Sequence, residues 1–187
     1  MTLVELVADF ADGLVAVDST RTPHKEFHPG IGPYGEAQAV SAALKQMKTK
    51  KPELYARAAT KRLPDILILG HWALELKIVR PFGDNGKPAE HWSENVLHPY
   101  PGNTSSLGDC IKLLECALYE RKAILIFGYE HNPPQVHLEQ AIASFEVLAK
   151  NIMKVRLGER VEELQKNLVH PVHQQLRVYG FEVAGKL

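Results

Sequence analysis

Apolar residues recur every three or four positions in several stretches of the chain, as they do in helices that bury one face against a core. Polar residues fill most of the positions between them. We predict helices in the stretches that show this pattern, which are 1–17, 36–48, 53–61, 109–119, 138–152 and 158–170. Two other segments, 18–35 and 80–106, are rich in Pro and Gly and are predicted to be loops.

Two apolar runs, 63–69 and 72–79, have the pattern of a β-hairpin. In the second run Glu75 and Lys77 alternate with apolar residues, so they share one face of the strand. A strict two-residue turn would place Asp65 on the opposite face. A three-residue turn, or one bulge, would bring Asp65 to the face of Glu75 and Lys77, and we predict that register.

Two further runs complete the predicted sheet. Residues 123–127 are predicted to be a strand buried on both faces, and 176–183 an edge strand. No strand pattern precedes Pro64, so a third strand beside the hairpin is expected to come from the long loop or from the tail. Helices that separate strands indicate an α/β fold, here a mixed central sheet flanked by helices in one domain over 1–187.

The composition is that of one ordinary globular domain, with 45% hydrophobic and 24% charged residues among 187. The longest apolar runs are much shorter than the roughly 20 residues that span a bilayer. The N-terminus also lacks a basic leader, so we expect no membrane segment and a cytoplasmic protein. Cys110 and Cys116 lie six positions apart, off the helical spacing that stacks two side chains, and are expected to be reduced, buried thiols.

Charge is balanced overall but not along the chain. The 22 Lys and Arg residues equal the 22 Asp and Glu residues, whereas 45–62 holds seven basic residues and one acidic residue, a surplus of six. Such a surplus is typical either of a solvated helix face or of a surface that contacts the phosphates of DNA. The candidates for that contact are Lys50, Lys51, Lys61 and Arg62.

The most informative motif is Pro64-Asp65, followed after nine residues by Glu75-Leu76-Lys77. The two halves fall on the adjacent strands of the predicted hairpin, after a helix that begins with an acid and before a helix and a buried strand. This arrangement resembles the PD-(D/E)XK nuclease superfamily over residues 34–129. The resemblance implies a restriction endonuclease-like core, on which helix 1–17 and the C-terminal helices of 136–170 would pack.

The resemblance also implies a site. Asp65 and Glu75 match its metal-binding acids, Lys77 its catalytic lysine and Glu36 the acid of its first core helix, while the carbonyl of Leu76 would be a third metal ligand. The implied cofactor is Mg²⁺, for which Mn²⁺ can substitute, and the implied activity is hydrolysis of DNA phosphodiester bonds by a restriction-like or repair endonuclease. The residue types suit that chemistry, because Mg²⁺ prefers carboxylate and carbonyl oxygens.

Other interpretations remain open. Asp65 could cap the start of a strand, with Glu75 and Lys77 as an exposed pair, and Glu36 could serve only the dipole of its helix. Asp109 has the same ambiguity as Glu36 and is not included in the metal site. The alternative function is a catalytically inactive nucleic-acid-binding or assembly module on the same fold.

Three smaller expectations concern partners. The loop 80–106 is the candidate for contacting the grooves of DNA, with Trp92 and Tyr100 available either to stack on bases or to anchor the loop. A zinc site at His170 and His173 is not expected, because Pro171 interrupts the helix that would align them and no Cys pair completes the site. The sequence leaves a homodimer open.

Overall fold

The computed structural model describes residues 1–100, 102 and 104–187. It contains six helices and seven strands within those residues. The helices are α1 (Leu3–Asp18), α2 (Glu36–Lys50), α3 (Pro52–Tyr55), α4 (Glu94–Leu97), α5 (Ser106–Glu115) and α6 (Leu138–Asn151). The strands are β1 (Ala59–Thr60), β2 (Ile66–Ile68), β3 (Trp72–Val79), β4 (Arg121–Glu130), β5 (Val155–Leu157), β6 (Val161–Lys166) and β7 (Gln175–Lys186).

The strands form one mixed sheet in the order β1–β2–β3–β4–β7–β5, with β6 also paired to β7. β3 and β4 are parallel, and the other pairs are antiparallel. Because parallel neighbours need a crossover, α5 connects β3 to β4 and lies over one face of β3. The mixed α/β architecture predicted from the sequence is confirmed.

Helices cover both faces of the sheet. On one face α1 and α2 enclose a core that includes Trp72, Leu74 and Leu76 of β3. On the other face α5 and α6 enclose a second core with Ile124 and Ile126 of β4. Glu75 and Lys77 belong to this second face, because side chains alternate along β3. The alternation therefore places an acid and a base directly beneath α5.

The structure corrects the prediction of a helix at 158–170. Residues 161–166 form β6, although Glu, Leu, Gln and Lys all favour helices. The long β7 offers an edge to which β6 pairs, and Arg177 on β7 binds both Glu162 on β6 and Glu130 on β4. β7 is consequently an interior strand, and the prediction that 176–183 is an edge strand was wrong. Only one helix, α6, lies within 136–170.

The region ahead of the hairpin also differs from its prediction. The helix expected over 53–61 ends at Tyr55, whose hydroxyl donates to Asp9, and Ala59–Thr60 then pairs with β2. The strand beside the hairpin is therefore β1, and it comes neither from the long loop nor from the tail.

Two expectations concern membranes and thiols. None of the helices in the described residues is long and apolar enough to cross a membrane. Cys110 and Cys116 are free thiols, as predicted, although Cys116 is only half-buried.

Candidate functional site

The turn of the β2–β3 hairpin sets the geometry of the motif. Ile66 lies opposite Leu74 and Ile68 opposite Trp72, so three residues, 69–71, connect the strands. Extending this register by one residue places Asp65 opposite Glu75, on the same face of the sheet. The predicted three-residue turn is confirmed.

The edge of β3 beyond this hairpin is capped by carboxylates. β2 begins at Ile66, opposite Leu74, and provides no partner for the rest of β3. The Leu76 N–H donates instead to Asp65 Oδ2 at 2.8 Å, and the Ile78 N–H donates to Glu36 Oε2 at 2.7 Å. Because the N–H and C=O of one residue point to the same strand edge, the carbonyl of Leu76 also faces these carboxylates. The structure thus brings Asp65, Glu36 and the Leu76 carbonyl together at this edge, and Glu75 lies beside Asp65 on the face of the sheet.

Lys77 is held between two carboxylates. Its Nζ lies 3.0 Å from Asp109 Oδ2 and 3.8 Å from Glu36 Oε1, and its side chain is 12% exposed. Burial alone would lower the pKa of Lys77, but Glu36 and Asp109 raise it above its ordinary value. Lys77 therefore stays an ammonium at neutral pH.

Asp109 is a residue of the site that the sequence analysis left out. It lies in the first turn of α5, is 1% exposed, and binds Lys112 Nζ at 2.6 Å as well as Lys77. The signal that could have identified it is its place at the start of the helix that connects two parallel strands, since such a helix crosses the face of the strand it follows.

Glu75 has the most unusual environment in the cluster. It is 5% exposed, and its Oε1 has no hydrogen-bond partner among the residues that the structure describes. Burial, together with the charges of Asp65 and Asp109, raises its pKa to about 8. Burial raises the pKa of Asp65 and of Glu36 as well. A cation among these oxygens would relieve the desolvation and the repulsion.

The charges and the open space are compatible with a divalent metal. Four carboxylates, of Glu36, Asp65, Glu75 and Asp109, face the two ammonium groups of Lys77 and Lys112. When all are ionised, the cluster carries an excess of two negative charges. A cavity of about 280 Å³ adjoins Glu36 and Asp65, with Lys61 in its wall. Asp65, Glu75 and the Leu76 carbonyl offer oxygens of the kind that Mg²⁺ prefers, and Glu36 lies beside them. Asp65 and Glu36 line the cavity, whereas Glu75 does not. Among the described residues, these carboxylates do not bring three ligand atoms within 4.8 Å of one another.

The basic candidates do not form one surface. Lys50 pairs with Asp12 at 3.7 Å, and Lys51 pairs with Asp9 at 2.6 Å, so α1 neutralises both. Lys61 and Arg62 lie on the connection between β1 and β2, and Lys61 lines the cavity next to the site. Among the described residues, no carboxylate is within ion-pair distance of either of these two side chains.

A second polar cluster joins loops from three parts of the chain. His28, Asp84 and His170 bring their ligand atoms within 4.8 Å of one another. His170 Nδ1, however, accepts hydrogen bonds from the N–H groups of Val172 and His173, so its proton is on Nε2, which donates to Asp84 Oδ1 at 2.7 Å. A metal would need that nitrogen unprotonated. The cluster therefore fits a hydrogen-bonded link between loops better than a metal site.

No family model, curated protein or solved structure matches the chain. The resemblance to PD-(D/E)XK nucleases thus remains an expectation that rests on the motif. The argument for a functional site in this chain rests instead on the geometry of the acid and lysine cluster.

Proposed function

We propose that the protein is a metal-dependent nuclease that hydrolyses DNA phosphodiester bonds, with a restriction endonuclease-like core formed by α2, β1–β3, α5 and β4. One observation carries the proposal. Asp65 and Glu75 lie in register beside Lys77, and the buried Glu75 carboxylate has an oxygen without a partner among the described residues. Leaving a buried carboxylate oxygen unpaired costs free energy, which a bound cation would offset.

Asp65, Glu75, Lys77 and Glu36 have separate roles in the proposed reaction. Mg²⁺, held by Asp65, Glu75 and the Leu76 carbonyl, would neutralise charge on the phosphate and acidify a water. Lys77 stays an ammonium, so it stabilises negative charge that develops on the phosphate and orients the water, rather than removing its proton. Glu36 caps the edge of β3 with one oxygen and leaves the other, Oε1, facing Lys77.

The test is a cleavage assay on supercoiled plasmid and on linear single- and double-stranded DNA, with Mg²⁺, with Mn²⁺ and with EDTA. We expect cleavage with either metal and none with EDTA. Glu75→Gln should lower the rate by at least about two orders of magnitude, whereas the exposed control Glu159→Gln should keep it. A folded wild-type protein that cuts none of these substrates would overturn the proposal.

A second candidate function is a non-catalytic binding module on the same fold. It is favoured by the capping role of Asp65 and Glu36, whose carboxylates already bind backbone N–H groups at the edge of β3. This candidate predicts DNA binding without cleavage. It also predicts that Mg²⁺ leaves the melting temperature unchanged, whereas a metal site raises it in the wild type and not in Glu75→Gln.

A further inference from the structure

A cavity at the end of β3 lies near the proposed site. It has a volume of about 600 Å³, and Ile78 and Arg80 at the end of β3 form part of its wall. Ile78 is also the residue whose N–H is capped by Glu36. Ile78 is three positions along β3 from Glu75, a rise of about 10 Å, and its side chain points to the opposite face of the sheet. At the 3.4 Å rise of a DNA strand, this length along β3 corresponds to about three nucleotides.

The lining of this cavity does not suit a phosphate. Asp84, Glu90 and Glu94 contribute carboxylates, whereas the one Arg among the lining residues, Arg80, donates to the backbone carbonyls of Gly32 and Tyr34. The negative charge disfavours the DNA backbone. Asp84 is already bound to His28 and His170, and Glu94 Oε1 to His91. Glu90 and Glu94 Oε2 are the carboxylate acceptors that this leaves, and acceptors suit the exocyclic amino groups of nucleobases.

The cavity also offers surfaces for stacking. Phe27 and Trp92 both line it, and Phe27 is 38% exposed. Asn95, in the same lining, carries an amide that can both donate to and accept from the edge of a base. Aromatic side chains beside polar groups are the usual means by which proteins hold an unstacked base.

The wall of the cavity is held in place by the cluster of His28, Asp84 and His170. Asp84 accepts hydrogen bonds from His28 and His170, and so connects the segment 80–93, which precedes α4, to two other loops. Asp18 adds a second link, because its carboxylate accepts from the N–H groups of Ile31 and Val169. A pocket that is already formed loses little conformational entropy when it binds a ligand.

We propose that this cavity binds an unstacked nucleobase that carries an exocyclic amino group, within about three nucleotides of the scissile phosphate. The inference rests on the proposed nuclease function and adds a substrate requirement to it. The protein would then cut only where a base can leave its stack, with the base held between Phe27 and Trp92 and its amino group facing the carboxylates.

The experiment uses single-stranded oligonucleotides in which one nucleotide at a time, near the cut, is replaced by an abasic unit. With the wild-type protein, one abasic position should slow cleavage about fivefold or more. In Trp92→Leu the same abasic unit should slow cleavage less than twofold, because the stacking is already lost. Tyr119→Ala is the matched control, since Tyr119 is fully exposed and lies outside this cavity, and it should keep the wild-type response.

The outcomes separate this inference from the proposed function. Metal-dependent cleavage that no abasic position slows, or that an abasic unit slows equally in Trp92→Leu, would overturn the base pocket and leave the nuclease assignment intact. If nothing is cut, the proposed function fails, and binding of a 2-aminopurine oligonucleotide then decides the pocket. A fluorescence change in the wild type that Trp92→Leu abolishes would support it, and no change in the wild type would overturn it.

Discussion

At the scale of single residues, the carboxylates of the cluster combine structural and chemical roles. Asp65 and Glu36 each use one oxygen to cap the edge of β3, and each has a second oxygen available to the site. Asp109 uses both of its oxygens on lysines. Because these uses differ, substitutions at the three positions should affect stability and cleavage to different extents.

Asp109→Asn should lower the cleavage rate about tenfold or more, because it removes the charge that holds the Lys77 ammonium in place. Lys112→Met is the matched control. It removes the other ion pair of Asp109 and leaves the contact to Lys77, so its rate should stay within about twofold of the wild type. Labelling of Lys77 by an amine-reactive reagent, followed by mass spectrometry, should rise only in Asp109→Asn. Unchanged rate and labelling in that variant would make Asp109 a merely structural partner.

The raised pKa of Glu75 predicts how stability depends on pH in the absence of metal. The carboxyl has a pKa of about 8 in the folded chain and an ordinary value of 4.5 when exposed, so the folded state binds its proton more tightly. That contribution to stability is complete below pH 4.5 and is lost as the pH rises through 8. Glu75→Gln cannot lose a proton, so its stability relative to the wild type should grow over this interval.

Urea unfolding of the wild type and Glu75→Gln between pH 5 and 9, in EDTA, measures this difference. We expect it to reach on the order of a few kcal/mol and to level off above pH 8. Mg²⁺ binds the ionised carboxylate, so saturating Mg²⁺ should reduce or reverse the difference. A difference that does not change with pH would show that Glu75 is ionised throughout in the folded chain.

At the scale of secondary structure, the hydrophobic pattern of the sequence correctly predicted the elements that depend on local interactions. The alternation of Glu75 and Lys77 with apolar residues fixed both the strand and the shared face of these two side chains. The local pattern of 161–166 could not show that this segment would pair with β7. That pairing depends on the edge of a strand that is distant in the sequence, and it overrides the helix propensity of the segment. The contact of Asp109 with Lys77 likewise joins residues 32 positions apart, so only the place of Asp109 at the start of the connecting helix could have indicated it.

The capped edge of β3 gives a prediction for Asp65. Asp65→Asn keeps an oxygen that can accept the Leu76 N–H, whereas Asp65→Ala leaves that donor unpaired. Thermal unfolding should therefore show Asp65→Ala to be less stable than Asp65→Asn by about 1 kcal/mol. Both should lose cleavage by orders of magnitude, because both lack the anionic metal ligand. Metal-free DNA affinity should hold or rise. Near wild-type cleavage by folded Asp65→Asn would remove this residue from the site.

At the scale of the whole molecule, the ion pairs that basic residues form decide their availability for DNA more than the number of basic residues does. The basic surplus within 45–62 is partly cancelled by α1, because Asp12 and Asp9 bind Lys50 and Lys51. Of the four candidate contacts, Lys61 and Arg62 remain. Lys61 lines the cavity that adjoins Glu36 and Asp65, and Arg62 follows it in the chain. The sequence identified the segment, but only the folded chain shows which of its cations face the site.

Lys50 and Lys51 are paired, whereas Lys61 and Arg62 form no ion pair within the described residues, and this difference predicts the salt dependence of DNA binding. Each phosphate contact contributes about 0.9 to the slope of log K against log salt on duplex DNA. Replacing both Lys61 and Arg62 by Met should reduce the magnitude of the slope by up to about 1.8 and weaken binding at all sequences.

The matched control replaces Lys50 and Lys51 by Met and should leave the slope within about 0.5 of the wild type, because Asp12 and Asp9 already bind these lysines. Fluorescence anisotropy between about 50 and 200 mM salt measures both, with Glu75→Gln as the background to prevent cleavage. Equal loss of slope in the two double variants would show that the whole segment contacts DNA, and no loss in either would make it a solvated surface.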